Sequence, residues 1–164
     1  MKRLILMRHA KSDWGDWTAT DHERGLNTRG VKSAGAMGDW LRKNSLMPDH
    51  ILCSDATRTQ ETLAGLALPD IPTTLTRDLY LAKADVMAQL LMRQDGPCVL
   101  MVAHNPGTGL LAARLIAAEP DHPEFDSYPT CATMVAEFEI DTWRDLKMGT
   151  GRLIDFIVPR DLIE

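Results

Sequence analysis

The chain has 164 residues, of which 45% are hydrophobic and 25% are charged, and its formal net charge is −5. This length favours one domain spanning residues 1–164, and the composition is that of an ordinary globular protein. The negative net charge argues against nucleic acid and anionic membranes as partners, so an anionic ligand would need a local basic pocket. The apolar run after Met1 is too short for a signal peptide and no run is long enough to span a bilayer, which predicts a cytoplasmic protein.

The first elements predicted are a strand, a long loop and a helix. The fully apolar run Leu4–Met7 is typical of a strand in a sheet buried on both faces. Residues 10–28 lack a regular period and predict a loop beside the functional site. Asn27 or Thr28 can cap a helix that runs to about Lys43. The inner face of this helix is predicted to carry Val31, Ala34, Met37 or Gly38, and Leu41.

The middle of the chain continues the alternation of strands and helices. A strand is predicted at His50–Cys53, followed by a helix that Ser54 or Asp55 caps and that runs to about Leu66. Thr73–Thr76 is a weak strand candidate.

A further helix, strand and helix are predicted after it. Asp85–Met92 predicts a helix and Cys98–Ala103 a second buried strand. Asn105 as N-cap and Pro106 in the first turn then predict a helix to about Ala118. The inward positions of the Asp85–Met92 helix are predicted to be Val86, Met87, Leu90 and Leu91.

The last part of the chain has the pattern of antiparallel strands. Apolar residues alternate with polar ones from residue 133 to 140, which is typical of a half-buried strand. Residues 142–151 predict a turn region, and Arg152–Val158 predicts a partner strand. The sequence therefore predicts an α/β fold: a three-layer α/β/α sandwich with a mainly parallel central sheet and an antiparallel C-terminal addition.

Two histidines and two arginines follow apolar runs that predict strands. Arg8 and His9 end the first strand, Arg58 follows the second, and His104 ends a later one. The carboxyl ends of parallel strands meet at one edge of a sheet, so these side chains are expected to converge. Guanidinium groups bind phosphate oxygens bidentately, and the free N–H groups of a helix start after His104 also favour an anion. A neutral imidazole in such a pocket is a candidate nucleophile for a phosphoryl group.

A metal site is the chemical alternative for these histidines. His9 and His104 together with Asp21 offer metal-ligating atoms, but no H-x-x-x-H or carboxylate-rich spacing is present. The neighbouring arginines would repel a dication, so no metal is expected.

Four segments resemble the signatures of the histidine phosphatase superfamily. Arg8–Ser12 is similar to R-H-G-x-[S/T], Ser54–Thr62 to S-x-x-x-R-x-x-Q-T, and Ala103–Pro106 to G-H-N-P. Asp21–Gly30 resembles the R-P-L-T-x-x-G stretch of the small phosphohistidine phosphatase (SixA-like) branch, as does the C-terminal segment from Thr150 to Leu162. The resemblance spans nearly the whole chain in order and implies a phosphoglycerate mutase-like fold.

The resemblance also implies a mechanism. His9 would accept the phosphoryl group and become phosphohistidine, which a water molecule then hydrolyses without any cofactor. The groups implied to bind the phosphoryl oxygens are the side chains of Arg8, Arg58 and His104, with further hydrogen bonds from Ser12 and the backbone N–H of Asn105.

The chain departs from the family at two points. Ala10 replaces a glycine, so the backbone after His9 must avoid a positive φ. The general acid is also open: relatives carry a glutamate where this chain offers Asp78, and Asp21 is the other candidate. A weak acid would favour phosphohistidine as the substrate, because imidazole is a better leaving group than an alkoxide.

The predicted function is a phosphatase acting on phosphohistidine in a protein or on a small phosphomonoester. The alternatives are a phosphoglycerate mutase-like phosphotransferase and a non-catalytic phosphate-recognition module. The expected partner is thus a phosphorylated protein or a small phosphorylated substrate, with neither nucleic acid nor membrane involved.

Overall fold

The computed structural model describes residues 1–163, which form one mixed β-sheet with helices on both faces. The strands are β1 (Lys2–Arg8), β2 (His50–Ser54), β3 (Thr73–Thr76), β4 (Cys98–Ala103), β5 (Thr133–Phe138) and β6 (Arg152–Ile157). The helices are α1 (Thr28–Lys43), α2 (Thr57–Gly65), α3 (Ala84–Met92), α4 (Gly107–Leu115) and α5 (Pro159–Leu162), with one-turn 3₁₀ helices at Arg77–Leu79 and Trp143–Asp145. Among residues 1–163, no helix combines the length and the hydrophobicity needed to cross a membrane.

The sheet has the strand order β3-β2-β4-β1-β5-β6. Strands β1 to β4 are mutually parallel, β5 runs antiparallel to β1, and β6 runs antiparallel to β5. This arrangement confirms the predicted three-layer α/β fold with its antiparallel C-terminal addition. Because β2, β4 and β1 are neighbours, the segments that follow their carboxyl ends lie side by side.

Two hydrophobic cores hold the helices on the sheet. One core joins the inner residues of α1, including Ala34, Met37 and Leu41, to one face of the sheet. The other joins α3 and α4 to the opposite face, through residues such as Met87 and Leu111. All these side chains are buried, as the alternation of apolar runs predicts.

Helix α1 begins as predicted. Asn27 is its N-cap, and its side-chain oxygen accepts a hydrogen bond from the Gly30 N–H at 2.8 Å. A Cβ atom at Gly30 would overlap the Lys11 carbonyl oxygen, so only glycine lets the first turn of α1 approach the chain after His9 so closely. The start of α1 therefore packs directly against the backbone that follows the first strand.

Helices α2 and α4 begin later in the chain than predicted. Strand β2 extends through Ser54, and α2 begins at Thr57 after the N-cap residue Ala56, which offers no side-chain cap. Neither Ser54 nor Asp55 is the cap, because both side chains bond to other partners near the site. Helix α4 begins at Gly107, so Asn105 precedes the cap.

The end of α4 and several inward positions were also predicted wrongly. Helix α4 ends at Leu115, not near Ala118, since the next residue is extended and bridges to Gly151. Val31 is 57% exposed because the inner face of α1 uses Gly30 and the residues in register with it. Val86 is exposed because the inner face of α3 consists of Ala84, Met87, Ala88 and Leu91.

Strand β5 is buried more fully than its alternating pattern indicates. Its side chains enter both hydrophobic cores, with Met134 and Ala136 in one and Val135 in the other, so both of its faces are covered. Even Thr133 is inaccessible to solvent. Glu137 is tolerated there because Arg3 and Arg152 both donate hydrogen bonds to its carboxylate. The polar residue Glu137 therefore has hydrogen-bond partners within the protein and does not indicate an exposed face of the strand.

Candidate active site

A cleft of about 580 Å³ opens at the carboxyl ends of β1, β2 and β4. Its lining includes all but one of the site residues that the sequence predicts. The lining residues are Arg8, His9, Lys11, Ser12, Trp14, Asp21, Arg24, Arg58, Leu81, His104, Asn105, Pro129 and Thr130. The exception is Asp78, which is exposed in the 3₁₀ helix Arg77–Leu79 and does not line the cleft.

His9 is held with one defined nitrogen available. It follows the last residue of β1, and its backbone N–H donates to the Ala103 carbonyl of β4 at 3.0 Å. Its ring Nδ1 lies 2.7 Å from the Ala10 carbonyl oxygen, which only accepts, so Nδ1 carries the proton and Nε2 carries a lone pair. Burial, together with Arg8, Arg58 and Arg24, lowers the pKa of His9 to about 4. The imidazole is therefore neutral at neutral pH, as a nucleophile requires.

A buried threonine fixes the peptide that orients His9. Thr62 Oγ1 accepts a hydrogen bond from the Ala10 N–H at 2.9 Å and donates to the Arg58 carbonyl oxygen at 2.7 Å. The loop after His9 is thereby tied to the helix that carries Arg58. Ala10 is absent from the residues with positive φ, in agreement with the expectation for an alanine at this position.

His104 lies beside His9, with 5.3 Å between their ring centroids. Its Nε2 is 2.8 Å from Ser54 Oγ, which also accepts a hydrogen bond from the Ala56 N–H. Within residues 1–163 the Ser54 hydroxyl proton has no other acceptor, so Ser54 donates to Nε2 and the ring proton of the neutral imidazole lies on Nδ1. That Nδ1 is buried and has no partner. Burial, followed by the nearby positive groups, lowers the pKa of His104 to about 3, so the ring is a neutral donor.

The cleft contains a set of buried donors that lack an acceptor. Within residues 1–163, the buried side-chain nitrogen atoms without a hydrogen-bond partner are Arg8 Nε, Arg24 Nε, Arg58 Nε and His104 Nδ1. All four belong to residues that line this one cleft. Buried polar groups are nearly always paired, so a cluster of unpaired donors on three guanidinium groups and an imidazole indicates a site built for an anion.

Asp21 is ionised and lies among the arginines. Its carboxylate accepts hydrogen bonds from Arg24 at 2.9 Å, from Arg58 at 3.1 Å and from the Tyr80 hydroxyl. The hydrogen bond from Tyr80, and those from the two arginines, hold the pKa of Asp21 far below its usual range. Asp21 therefore carries no proton to give in the resting site.

The segment expected to supply the acid contributes a different side chain. Asp78 stays at the surface, whereas Tyr80 from the same segment reaches Asp21 and packs edge-on against His104 with 5.4 Å between ring centroids. Sequence reasoning singled out the carboxylate and missed the tyrosine, because its partner Asp21 is 59 residues away in the chain.

Ser12 and Asn105 support the cleft through other residues. Ser12 Oγ accepts a hydrogen bond from Arg24. The Asn105 side-chain amide donates to the carbonyl oxygens of Ser127 and Tyr128, and its oxygen accepts from the Gly109 N–H. Asn105 thus fastens the loop before β5 to the start of α4.

Arg24 is the main residue of the cleft that was not among the site residues predicted from the sequence. Its guanidinium stacks on Trp14, with 3.5 Å between Cζ and the ring centroid, while it bonds to Asp21 and Ser12. The signal was present in the sequence, since Arg24 occupies the arginine position of the segment that resembles R-P-L-T-x-x-G.

The remaining histidines have ordinary partners away from the cleft lining. His22 lies 2.7 Å from Asp55, His50 3.0 Å from Thr74, and His122 2.9 Å from Asp161. In the described residues, no three or more His, Cys, Asp or Glu side chains are grouped so that they could hold a metal ion.

Comparisons with known proteins agree with this geometry. Residues 4–80 match the sequence profile of the histidine phosphatase superfamily, branch 1. An uncharacterised protein of Mycobacterium tuberculosis, Rv1276c, is 35% identical over 161 residues, which cover 94% of this chain and 100% of that protein.

Two solved structures are similar over almost their whole length. A proposed phosphohistidine phosphatase SixA from Nakamurella multipartitia has a TM-score of 0.82 and 27% identity, with 96% of each chain covered. A proposed SixA from Agrobacterium tumefaciens has a TM-score of 0.79 and 26% identity, with 96% of this chain and 98% of that one covered. With its motifs gathered in one cleft, the chain belongs to the histidine phosphatase superfamily, in the SixA-like branch.

Proposed function

We propose that this phosphatase hydrolyses phosphohistidine in a protein, through a phosphoryl intermediate on His9. The observation that carries the proposal is the pairing of one neutral imidazole, with its Nε2 lone pair free, and four unpaired donors that line the same cleft. The SixA neighbours, proposed to be phosphohistidine phosphatases, support the same substrate class.

The reaction has two displacements at phosphorus. In the first, the His9 Nε2 lone pair forms a P–N bond while the P–N bond of the substrate breaks, and the substrate imidazole leaves with that electron pair. In the second, water attacks phospho-His9, releases inorganic phosphate and restores the neutral ring. Arg8, Arg58 and the His104 Nδ1–H bind the three phosphoryl oxygens and stabilise the charge that spreads over them in the transition state.

The ionisation of the one carboxyl group in the cleft lining supports phosphohistidine as the substrate. Asp21 is the only carboxylic acid among the lining residues, and it is ionised. An alkoxide leaving group needs a proton at bond breaking, whereas an imidazole whose second nitrogen is already protonated leaves as a neutral ring. The Asp21 carboxylate suits that substrate, because it can accept a hydrogen bond from the N–H at the other nitrogen of the departing ring.

A comparison of substrates tests the proposal. The kcat/KM of the protein is measured on a phosphohistidine-bearing protein, on a phosphoserine peptide and on an aryl phosphate. We expect phosphohistidine to be the best substrate, and Asp21→Asn to slow it while leaving the aryl phosphate as fast or faster, since a negative charge is removed from the phosphate site. Preference for phosphoserine would overturn the phosphohistidine assignment. An Asp21→Asn defect that is greatest on phosphoserine would also overturn it, because it would assign Asp21 as a general acid.

The same assay separates the two other functions that the sequence allows. A phosphotransferase would move the phosphoryl group between acceptors without net phosphate release. A recognition module would bind vanadate and release no phosphate from any of the three substrates. His9→Ala is the matched control, because it removes the nucleophile and keeps Arg8, Arg58 and His104 for binding.

A further inference from the structure

A second groove adjoins the active-site cleft. It has a volume of about 270 Å³ and shares Lys11, Pro129 and Thr130 with the lining of the cleft. Its remaining walls come from the first turns of α1, from the start of α5 and from Glu124 in the loop before β5. The groove is therefore within reach of a large ligand whose phosphoryl group sits in the cleft.

The groove is basic in an acidic chain. Three cationic side chains line it, Lys11, Arg29 and Arg160, against the single carboxylate of Glu124. Arg160 approaches Glu124 at 3.4 Å, but its side chain remains 79% exposed. Lys11 and Arg29 are exposed and form no ion pair within residues 1–163. Positive charge is thus concentrated beside the site, although the whole chain carries −5.

The backbone holds two of these cationic residues on neighbouring segments. The Asn27 N–H donates to the Lys11 carbonyl oxygen at 3.0 Å, and Gly30 packs on that same carbonyl. Lys11 and Arg29 are consequently anchored on two segments in direct backbone contact. Both side chains are long and exposed, so they can reach carboxylates at variable positions, which suits an acidic surface better than one fixed phosphate.

Two exposed tryptophans in the loop beside the cleft point to a macromolecular partner. Trp14 lines the cleft and is 75% exposed, and Trp17 in the same loop is 88% exposed. Exposed aromatic side chains beside a charged surface are typical of protein interfaces. Trp17 lies outside the lining of the cleft, so a small phosphomonoester bound inside the cleft would leave it exposed.

We propose that the basic groove docks an acidic surface of the protein substrate, next to its phosphohistidine. Because the partner must carry a phosphohistidine, this inference rests on the proposed function. Exposed charges at an interface rim act mainly on encounter and on KM, and their effect falls as salt rises. The groove therefore selects among phosphohistidine proteins, while the cleft carries out the chemistry.

The test uses a helical bundle of defined sequence that bears one chemically phosphorylated histidine flanked by glutamates, and the same bundle with glutamines in their place. Arg29→Glu neutralises the groove, since two cationic side chains then face two carboxylates. A glutamate in the first turn of α1 is favoured by the helix dipole, so the fold is retained. Arg144→Glu is the matched control, because Arg144 is exposed in the 3₁₀ helix Trp143–Asp145 that follows β5, at the edge of the sheet away from the cleft.

We expect the wild-type protein to have about a tenfold lower KM for the glutamate bundle than for the glutamine bundle at low salt. Arg29→Glu should abolish this preference, with kcat and aryl-phosphate hydrolysis unchanged, and Arg144→Glu should retain it. Equal KM values for the two bundles, or equal effects of the two variants, overturn the docking site. A change in aryl-phosphate kinetics in Arg29→Glu would assign the groove to small substrates instead. Aryl-phosphate turnover by a wild-type protein that hydrolyses neither bundle would refute the proposed function itself, and the docking site with it.

Discussion

Replacing Thr62 with valine should damage both stability and catalysis, because one hydroxyl serves both. Valine has nearly the same shape, so the change removes the hydroxyl and opens little cavity. The Thr62 side chain is inaccessible to solvent, and it is the acceptor of the Ala10 N–H at 2.9 Å. Without it, this buried N–H is left unpaired, which costs about 1–3 kcal/mol of unfolding free energy.

Thr108→Val is the matched control. Thr108 is equally buried, and its hydroxyl donates to the carbonyl oxygen four residues earlier, as that of Thr62 also does. That carbonyl keeps its helical N–H donor, at 3.0 Å, so the control leaves no backbone N–H unpaired. We expect it to lose only about 0.5–1.5 kcal/mol.

Thr62→Val should also affect catalysis, because Thr62 holds the same residue, Ala10, whose carbonyl oxygen orients His9. The Ala10 carbonyl oxygen fixes the His9 ring through Nδ1, so a freed Ala10 peptide lets the ring turn away from the attacking geometry. We expect kcat/KM on an aryl phosphate to fall by about tenfold to a hundredfold in Thr62→Val. Urea unfolding and steady-state kinetics measure the two effects. If Thr62→Val loses no more stability than Thr108→Val and keeps wild-type activity, the hydroxyl does not position the nucleophile.

Two further predictions concern the buried histidines. Burial lowers the pKa of His9 to about 4. Nitrogen-15 NMR of the phosphate-free protein should therefore show a neutral ring, protonated at Nδ1, from about pH 8 down to about pH 5. An imidazolium at pH 6 would contradict the burial argument. His9 and His104 both have folded pKa values below that of the unfolded chain, so the unfolded state binds protons first as the pH falls. The free energy of unfolding should therefore fall below about pH 6.5, by about 2 kcal/mol per histidine at pH 5, and His104→Asn should show about half the fall; an equal fall in the variant would exclude this origin.

The part of the site that the sequence predicts is the part determined by strand ends. Arg8, His9 and His104 each follow an apolar run, and parallel strands place the ends of such runs at one edge. The start of α1 is equally predictable, because Asn27 caps the N–H of Gly30 only three residues further on. These features depend on residues a few positions apart, which a sequence pattern records directly.

The rest of the site depends on contacts between distant segments. The network of Asp21, Arg24, Arg58 and Tyr80 joins three separate segments, and nothing in the residues around Tyr80 marks its hydroxyl for Asp21. Helix caps were misplaced for a related reason, since Ser54 serves His104 and not its own helix. Where a polar side chain has a tertiary partner, its local preference is overridden.

The covalent intermediate on His9 is best tested by rapid quench with a protein bearing radiolabelled phosphohistidine. The structure predicts that, within one turnover, label appears on the phosphatase as an acid-labile, alkali-stable phosphoryl group at His9, and that it then decays to inorganic phosphate. His9→Ala should show neither label nor release while it still binds vanadate. Net phosphate release without a labelled enzyme, or from His9→Ala, would contradict His9 as the nucleophile and point to direct attack by water.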